Sequence, residues 1–147
     1  MPVFIKREYD YAIRISAYLA GNYKKGPISV SKIAELLHIS KPFATKIIYQ
    51  LTSKKIITSV QGKTGGVYLS KDPGKLSLFT ILQAMNFDSS INECIHVPGL
   101  CPLVATCKIH LFFEDQEKML INNLKQAKVS EFAFGNSDIK PTKNHLK

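Results

Sequence analysis

The chain has 147 residues, 45% of them hydrophobic and 21% charged, enough for one packed domain with a modest extension and too apolar for disorder throughout. No apolar run approaches the roughly 18 to 20 residues of a membrane span, and residues 1–8 lack the apolar centre of a secretory signal, so a soluble cytoplasmic protein is expected. The net charge of +9 is one-sided: residues 1–75 hold 13 Lys and Arg against 4 Asp and Glu, and the remaining 7 bases and 7 acids cancel. A positive field on one module attracts a polyanion and releases its counterions, which makes nucleic acid the first candidate partner. The plain alternative is a lysine-rich solvated surface.

In chain order, residues 11–20 are almost continuously apolar, with Ile15, Tyr18 and Leu19 on one stripe, and predict a buried first helix ended by Gly21-Asn22. A basic loop follows, closed by Gly26-Pro27. Ser29 or Ser31 can cap a short second helix carrying Ile33, Ala34, Leu36 and Leu37, with the turn at His38-Ile39. Ser40 then caps a third helix, with Pro42 in the first turn, where a missing N–H costs little. Phe43, Ile47 and Leu51 recur every fourth residue and, with Ile48, form its inward stripe. Lys41, Thr45, Lys46 and Tyr49 fall on its other faces, mostly toward water.

Two short helices joined by a tight turn, the second basic outside, read as a helix-turn-helix, although any pair of short amphipathic helices gives a similar pattern. The β-branched residues 56–60 and the segment 67–69 predict two strands around Gln61-Gly62-Lys63-Thr64-Gly65-Gly66, a hairpin with a glycine-rich basic tip. Directly after the third helix such a hairpin is a wing. Gly62-Lys63-Thr64 also resembles the end of a Walker motif, but the upstream glycine is absent and a strand follows.

Ser77 can cap a fourth helix over residues 78–85, with Leu78, Ile81, Leu82 and Met85 inward. Residues 88–106 show little periodicity. From 107 to about 127, Ile109, Phe112, Phe113, Met119, Leu120 and Leu124 mark one face of a long helix. Little chain remains downstream to cover that face, so a dimer interface is its natural use, with packing on its own winged domain as the alternative. The fold class expected is mainly α with a small β-hairpin: a winged helix-turn-helix plus a long C-terminal dimerisation helix. The divisions are residues 1–75 for the winged module, 76–134 for the cysteine loop and dimerisation helices, and 135–147 for a disordered tail.

Cys94, Cys101 and Cys107 are the only cysteines, spaced C-x6-C-x5-C. An odd number cannot close a full disulfide framework. Thiolates select soft metals, zinc or iron–sulfur clusters, and the spacing lacks the tight pairs of common zinc sites. Pro98 and Gly99 let the segment turn. His110 follows Cys107 by one helical turn, which could place both side chains on one face. His96 is a weaker candidate, His38 reads as a turn residue, and His145 lies in the tail. Three ordinary buried cysteines, or thiol redox sensors, are the competing readings. No Cys–His–acid set is legible, so an enzyme is not expected; a zinc-stabilised adaptor is a further reading.

The helix-turn-helix, the segment Ser59-Val60-Gln61-Gly62-Lys63-Thr64-Gly65-Gly66-Val67-Tyr68-Leu69, the three cysteines and the opening Asp10-Tyr11-Ala12-Ile13-Arg14 together resemble the IscR/NsrR-type winged-helix regulators of bacteria. The resemblance runs from about residue 9 to 134. It implies a homodimer with crossed C-terminal helices, an iron–sulfur cluster (2Fe–2S or 4Fe–4S) near the interface, and an operator, expected to be an imperfect palindrome, whose binding follows the cluster's state. By resemblance, Cys94, Cys101 and Cys107 match the ligand cysteines. His110 matches the histidine of the iron–sulfur-supply branch, and Asp10 falls where the nitric-oxide branch places a carboxylate from the other subunit. Asp10 can also be read as a helix cap. Lys41, Thr45, Lys46 and Tyr49 would face the major groove, and Gln61, Lys63 and Thr64 the backbone or minor groove. Gln61 stands where the family usually has Arg, and Val67 where it has an aromatic; an Arg is favoured in a narrow minor groove.

Overall fold

The computed structural model describes residues 3–97 and 99–141. Six α-helices and one two-stranded hairpin follow in the order α1 (Arg7–Gly21), α2 (Val30–Leu36), α3 (Lys41–Ser53), β1 (Ile57–Val60), β2 (Gly66–Leu69), α4 (Leu78–Ala84), α5 (Glu93–His96) and α6 (Lys108–Gln126). The expected mainly helical fold with a small hairpin is the one observed. Helix α1 begins a turn earlier than its apolar run, because Arg7, Glu8 and Asp10 form an open polar turn that periodicity alone does not mark.

Helices α2, α3 and α4 start alike. The hydroxyls of Ser29, Ser40 and Ser77 accept the N–H three residues on, from Lys32, Phe43 and Thr80. Each such cap is worth about 1 kcal/mol. The three helices also end alike. His38, Lys55 and Asn86 adopt φ of 53°, 59° and 57°, the left-handed region. The residue after each, Ile39, Ile56 and Phe87, donates its N–H back to Ala34, Leu51 and Leu82. This is the Schellman closure, made here without glycine. The following apolar residue is buried at Ile39 and Ile56 and half-buried at Phe87, and that burial holds the turn.

In the hairpin Ile57 pairs with Leu69, Thr58 with Tyr68, Ser59 with Val67 and Val60 with Gly66. Val67 also exchanges both backbone hydrogen bonds with Ile28, at 2.9 and 2.8 Å, so the segment before α2 flanks the wing. Gly66 has φ +154° and its α-carbon faces the Ile28 backbone so closely that no side chain fits there. The core gathers around α1, where Ala12, Ile15, Tyr18 and Leu19 meet Ile47, Ile48 and Leu51 of α3, Val67 and Leu69 of β2, and Ile81 and Leu82 of α4.

Two differences from the expected divisions follow from that core. Helix α4, assigned beyond residue 75 to the second region, packs on α1 and α3 as well as on α6, with Leu76, Ile81, Leu82 and Met85 entering the same core as the winged module. Residues 135–141, expected to be disordered, lie ordered along α1. After α6 the chain returns through 3-10 turns at Val129–Phe132 and Asn136–Asp138. Val129 is fully buried and bonds Leu76 O; Phe134 bonds Ala17 O; the Tyr18 hydroxyl donates to Asn136 Oδ1 at 2.7 Å. The polar composition of this segment hid Phe134 and Ile139, which supply its apolar anchors. The rest of the expected tail, residues 142–147 with His145, lies outside the described residues, as does Pro98.

Candidate nucleic-acid interface and cysteine segment

Helix α3 buries Ala44, Ile47, Ile48 and Leu51 and half-buries Phe43. Its opposite face carries Lys41, Thr45, Lys46 and Tyr49, all exposed, with Tyr49 at 75%. An aromatic held that open is not spent on the protein's own core. Between α3 and the hairpin runs a groove of about 180 Å³, lined by Val30, Thr45, Ile48, Tyr49, Thr52, Ser59 and Val67. At the wing tip Gln61, Gly62, Lys63 and Thr64 are exposed. Gly62, at φ +107°, lets its carbonyl accept the Gly65 N–H at 3.1 Å, and this tight turn pushes Lys63 and Thr64 outward. The seven residues expected from sequence thus lie on one exposed helix face and at the hairpin tip.

A feature not anticipated from the sequence flanks α3. The Arg7 guanidinium stacks over the rings of Tyr11 and Phe43, at 5.4 and 5.3 Å from their centroids. The i, i+4 spacing of Arg7 and Tyr11 was a legible signal for half of that stack.

The three cysteines are free and half-buried. Cys94 lies in α5, which Asn92 caps, and Cys107 occupies the N-cap position of α6 without a side-chain capping bond. His110 hydrogen-bonds through Nδ1 to Cys94 Sγ at 3.3 Å. The spacing of Cys107 and His110 could place both on one face of the helix; the hydrogen bond His110 makes crosses from α6 to α5. Among the described residues no three His, Cys, Asp or Glu side chains converge as a metal-holding group, so Cys101 and Cys107 stand apart from the Cys94–His110 contact. Asp10 is not a cap either, since Lys6 takes that position; its carboxylate pairs with Arg14.

Two further carboxylates serve this segment. Asp88 accepts the Ser90 N–H at 2.9 Å; the bonds from Ser90 and, less strongly, the nearby His96 hold its carboxyl below the usual range. Glu117 of α6 is 5% exposed, with Oε1 at 2.7 Å from His96 Nε2 and Oε2 accepting the Ile91 N–H at 3.1 Å. Sequence reading missed α5 and Glu117. The signal was present: Glu117 lies seven residues after His110, hence on the same helical face.

On the other side of α6, Ile109, Leu111, Phe112 and Met119 are exposed, each above half of its surface. Among the described residues no helix is long and apolar enough to cross a membrane.

A basic helix presented beside a hairpin in this way can enter a major groove while the wing lies along the duplex. The class is therefore that of the winged helix-turn-helix transcription regulators. Residues 5–134 match the Rrf2 family, described as iron-dependent transcriptional regulators, and the chain belongs to that family. It is similar to the regulator NsrR of Shouchella clausii, 24% identical over 132 residues covering 89% of each chain. NsrR of Bacillus subtilis is 28% identical over 99 residues, 67% of this chain and 68% of the relative. Among solved structures, the global cysteine regulator CymR of B. subtilis shares the fold at a TM-score of 0.75 and 20% identity, covering 90% of this chain and 97% of that one. The IscR of T. potens does so at 0.68 and 19%, covering 89% and 85%. The protein is a DNA-binding transcription regulator rather than an enzyme.

Proposed function

We propose that this regulator is a cytoplasmic homodimer whose operator binding is set by an iron–sulfur cluster held by Cys94, Cys101 and Cys107, with His110 as the fourth donor. The observation that carries the reading is the 3.3 Å contact between Cys94 and His110, made by two of the four donors before any metal is considered. The donor set suits the group: three free thiols and an imidazole, half-buried, on one segment with a turn at Gly99, φ +79°. Bound there, such a cluster would supply a redox-active centre open to oxidants, nitric oxide or loss of iron. Asp10 is the less favoured fourth donor, because Arg14 of its own helix already engages it.

The rest is performed by the chain. Lys41, Thr45, Lys46 and Tyr49 read the major groove of an imperfect palindrome, while Gln61, Lys63 and Thr64 meet the backbone or minor groove from the wing. A second copy covers Ile109, Phe112 and Met119 of α6, which otherwise remain in water. Helix α6 links the two functions. Its first residue follows Cys107, and beyond its end Ala127 O accepts the Leu78 N–H while Val129 bonds Leu76, inside the winged module. A shift of α6 is thereby carried to the domain that holds α3.

The test is visible absorption and Mössbauer spectroscopy, with iron and sulfide analysis, of protein purified without oxygen. Stoichiometric iron and sulfide are expected; colourless, iron-free protein overturns the cofactor assignment. The Cys94–His110 contact also favours a second reading, in which the cysteines act as metal-free thiol redox sensors and the imidazole orients Cys94. Iron-free protein whose DNA affinity changes reversibly with thiol oxidation selects it.

A further inference from the structure

Among the described residues Glu117 is the one buried carboxylate, and the proposed chemistry leaves it without a role. A carboxylate is taken out of water at substantial cost unless hydrogen bonds replace its hydration. Both replacements come from the same short stretch: the Ile91 N–H, three residues before Cys94, and His96 Nε2, two residues after it. The carboxylate therefore brackets the first cysteine.

The bracketing matters because α5 has little else to hold it. It is four residues long and buries no side chain, so neither helical cooperativity nor an apolar anchor fixes its place. Two polar contacts tie it to α6: Glu117 with His96, and His110 with Cys94. His110 and Glu117 are seven residues apart on one face, roughly 10 Å along the axis at 1.5 Å per residue. Two points on one helix thus fix the register of the segment that carries Cys94.

We infer that Glu117 is a positioning residue, holding Cys94 against His110 by clamping residues 91–96 onto α6. This deepens the proposed function, since it concerns how that thiol is placed. It holds for a redox thiol as well as for a cluster ligand.

The experiment uses the full chain, reduced and metal-free, with Cys101→Ser and Cys107→Ser so that Cys94 alone reacts. The rate of alkylation by iodoacetamide and the hydrogen exchange of the Ile91 amide are measured for Glu117, Glu117→Ala and Glu117→Gln. Alanine removes both bonds and should raise each rate about tenfold by freeing the segment locally. Glutamine can accept from Ile91 and still bond His96, so it should restore most of the protection. The melting temperature and the salt-dependent affinity for non-specific duplex should not move. Equal alkylation rates in the alanine and parent proteins overturn the inference. So does a glutamine variant as loose as alanine, or a loss of exchange protection spread through α1 and α3. In parallel, the three-cysteine chain is reconstituted with iron and sulfide, and Glu117→Ala should surrender iron to a chelator faster. If the parent protein takes up no cluster, the proposed cofactor fails, while the alkylation result still decides the role of Glu117.

Discussion

The Arg14 guanidinium donates to Asp10 Oδ2 at 2.8 Å, one helical turn apart on α1. The bond to Asp10 is the main reason Arg14 holds its proton more tightly than usual. With side chains 56% and 42% exposed, the pair is worth about 0.5 kcal/mol at most. Its main consequence is positional, because Asp10 would have to leave Arg14 to reach the proposed cluster of another subunit. We therefore expect Asp10→Ala to change stability by no more than about 0.5 kcal/mol and to keep its iron, while His110→Ala loses iron or changes its spectrum. Iron analysis and Mössbauer spectra of the two variants check this; the opposite pattern moves the fourth donor to Asp10.

Lys46 stands exposed on the outer face of α3 with no acidic partner among the described residues. As a phosphate contact it carries charge and little sequence information. Lys46→Ala should weaken binding to all duplexes alike and flatten the dependence of log K on log salt by about 1. Titrations at several salt concentrations, on operator and scrambled duplex, measure it. A loss restricted to the operator sequence contradicts a backbone role.

The difference between what could and could not be read in advance is physical. Helices α3 and α4 were legible because serine caps and four-residue apolar spacings are local signals. The wing was legible because β-branched residues surround a glycine-rich tip. Helix α5 was not, since its His96 and the preceding Ile91 N–H meet Glu117 more than twenty positions away in sequence. The return of residues 129–139 to α1 escaped for the same reason: Tyr18 and Asn136 lie 118 positions apart. In the site, residue identity and exposure were readable. The partner of His110 was not, because Cys94 reaches it from a different helix.

Phe112 is 57% exposed and stacks edge-on with Phe113 at 5.4 Å. A ring so placed contributes little to the single chain and much to a covered interface. Phe112→Glu should leave the melting of the winged module unchanged while weakening dimerisation roughly thirtyfold or more, about 2 kcal/mol. Sedimentation equilibrium measures the association. A variant as dimeric as the parent places the interface elsewhere.

Tyr18 is buried on α1, and its hydroxyl holds Asn136. Burial pushes its phenol above the ordinary value of 10.0. The folded chain thus retains this proton more tightly than the unfolded one. The contribution is constant below pH 10 or so, and stability falls as pH rises beyond it, where the unfolded phenol ionises first. Tyr18→Phe should cost about 1 kcal/mol at neutral pH through the lost hydrogen bond. It should also lack this alkaline decline. Urea unfolding at neutral and alkaline pH gives both quantities; an unchanged alkaline slope in the variant assigns the decline to other groups.

His38 closes α2 at φ 53°, in the turn of the helix-turn-helix, a conformation that costs a non-glycine residue about 1–2 kcal/mol. Its side chain is exposed and makes no hydrogen bond among the described contacts, so nothing at the surface offsets that cost. The closure survives because Ile39, 8% exposed, is anchored in the core and its N–H reaches Ala34 O at 3.0 Å. His38→Gly removes the steric penalty but adds freedom to the unfolded chain, worth roughly 0.5–1 kcal/mol. The net expectation is a gain of about 0.5–1 kcal/mol with the DNA affinity unaltered. Denaturant unfolding and an operator titration decide it. A glycine variant that is less stable shows that the imidazole itself supports the turn, and one that binds DNA more weakly places His38 at the interface.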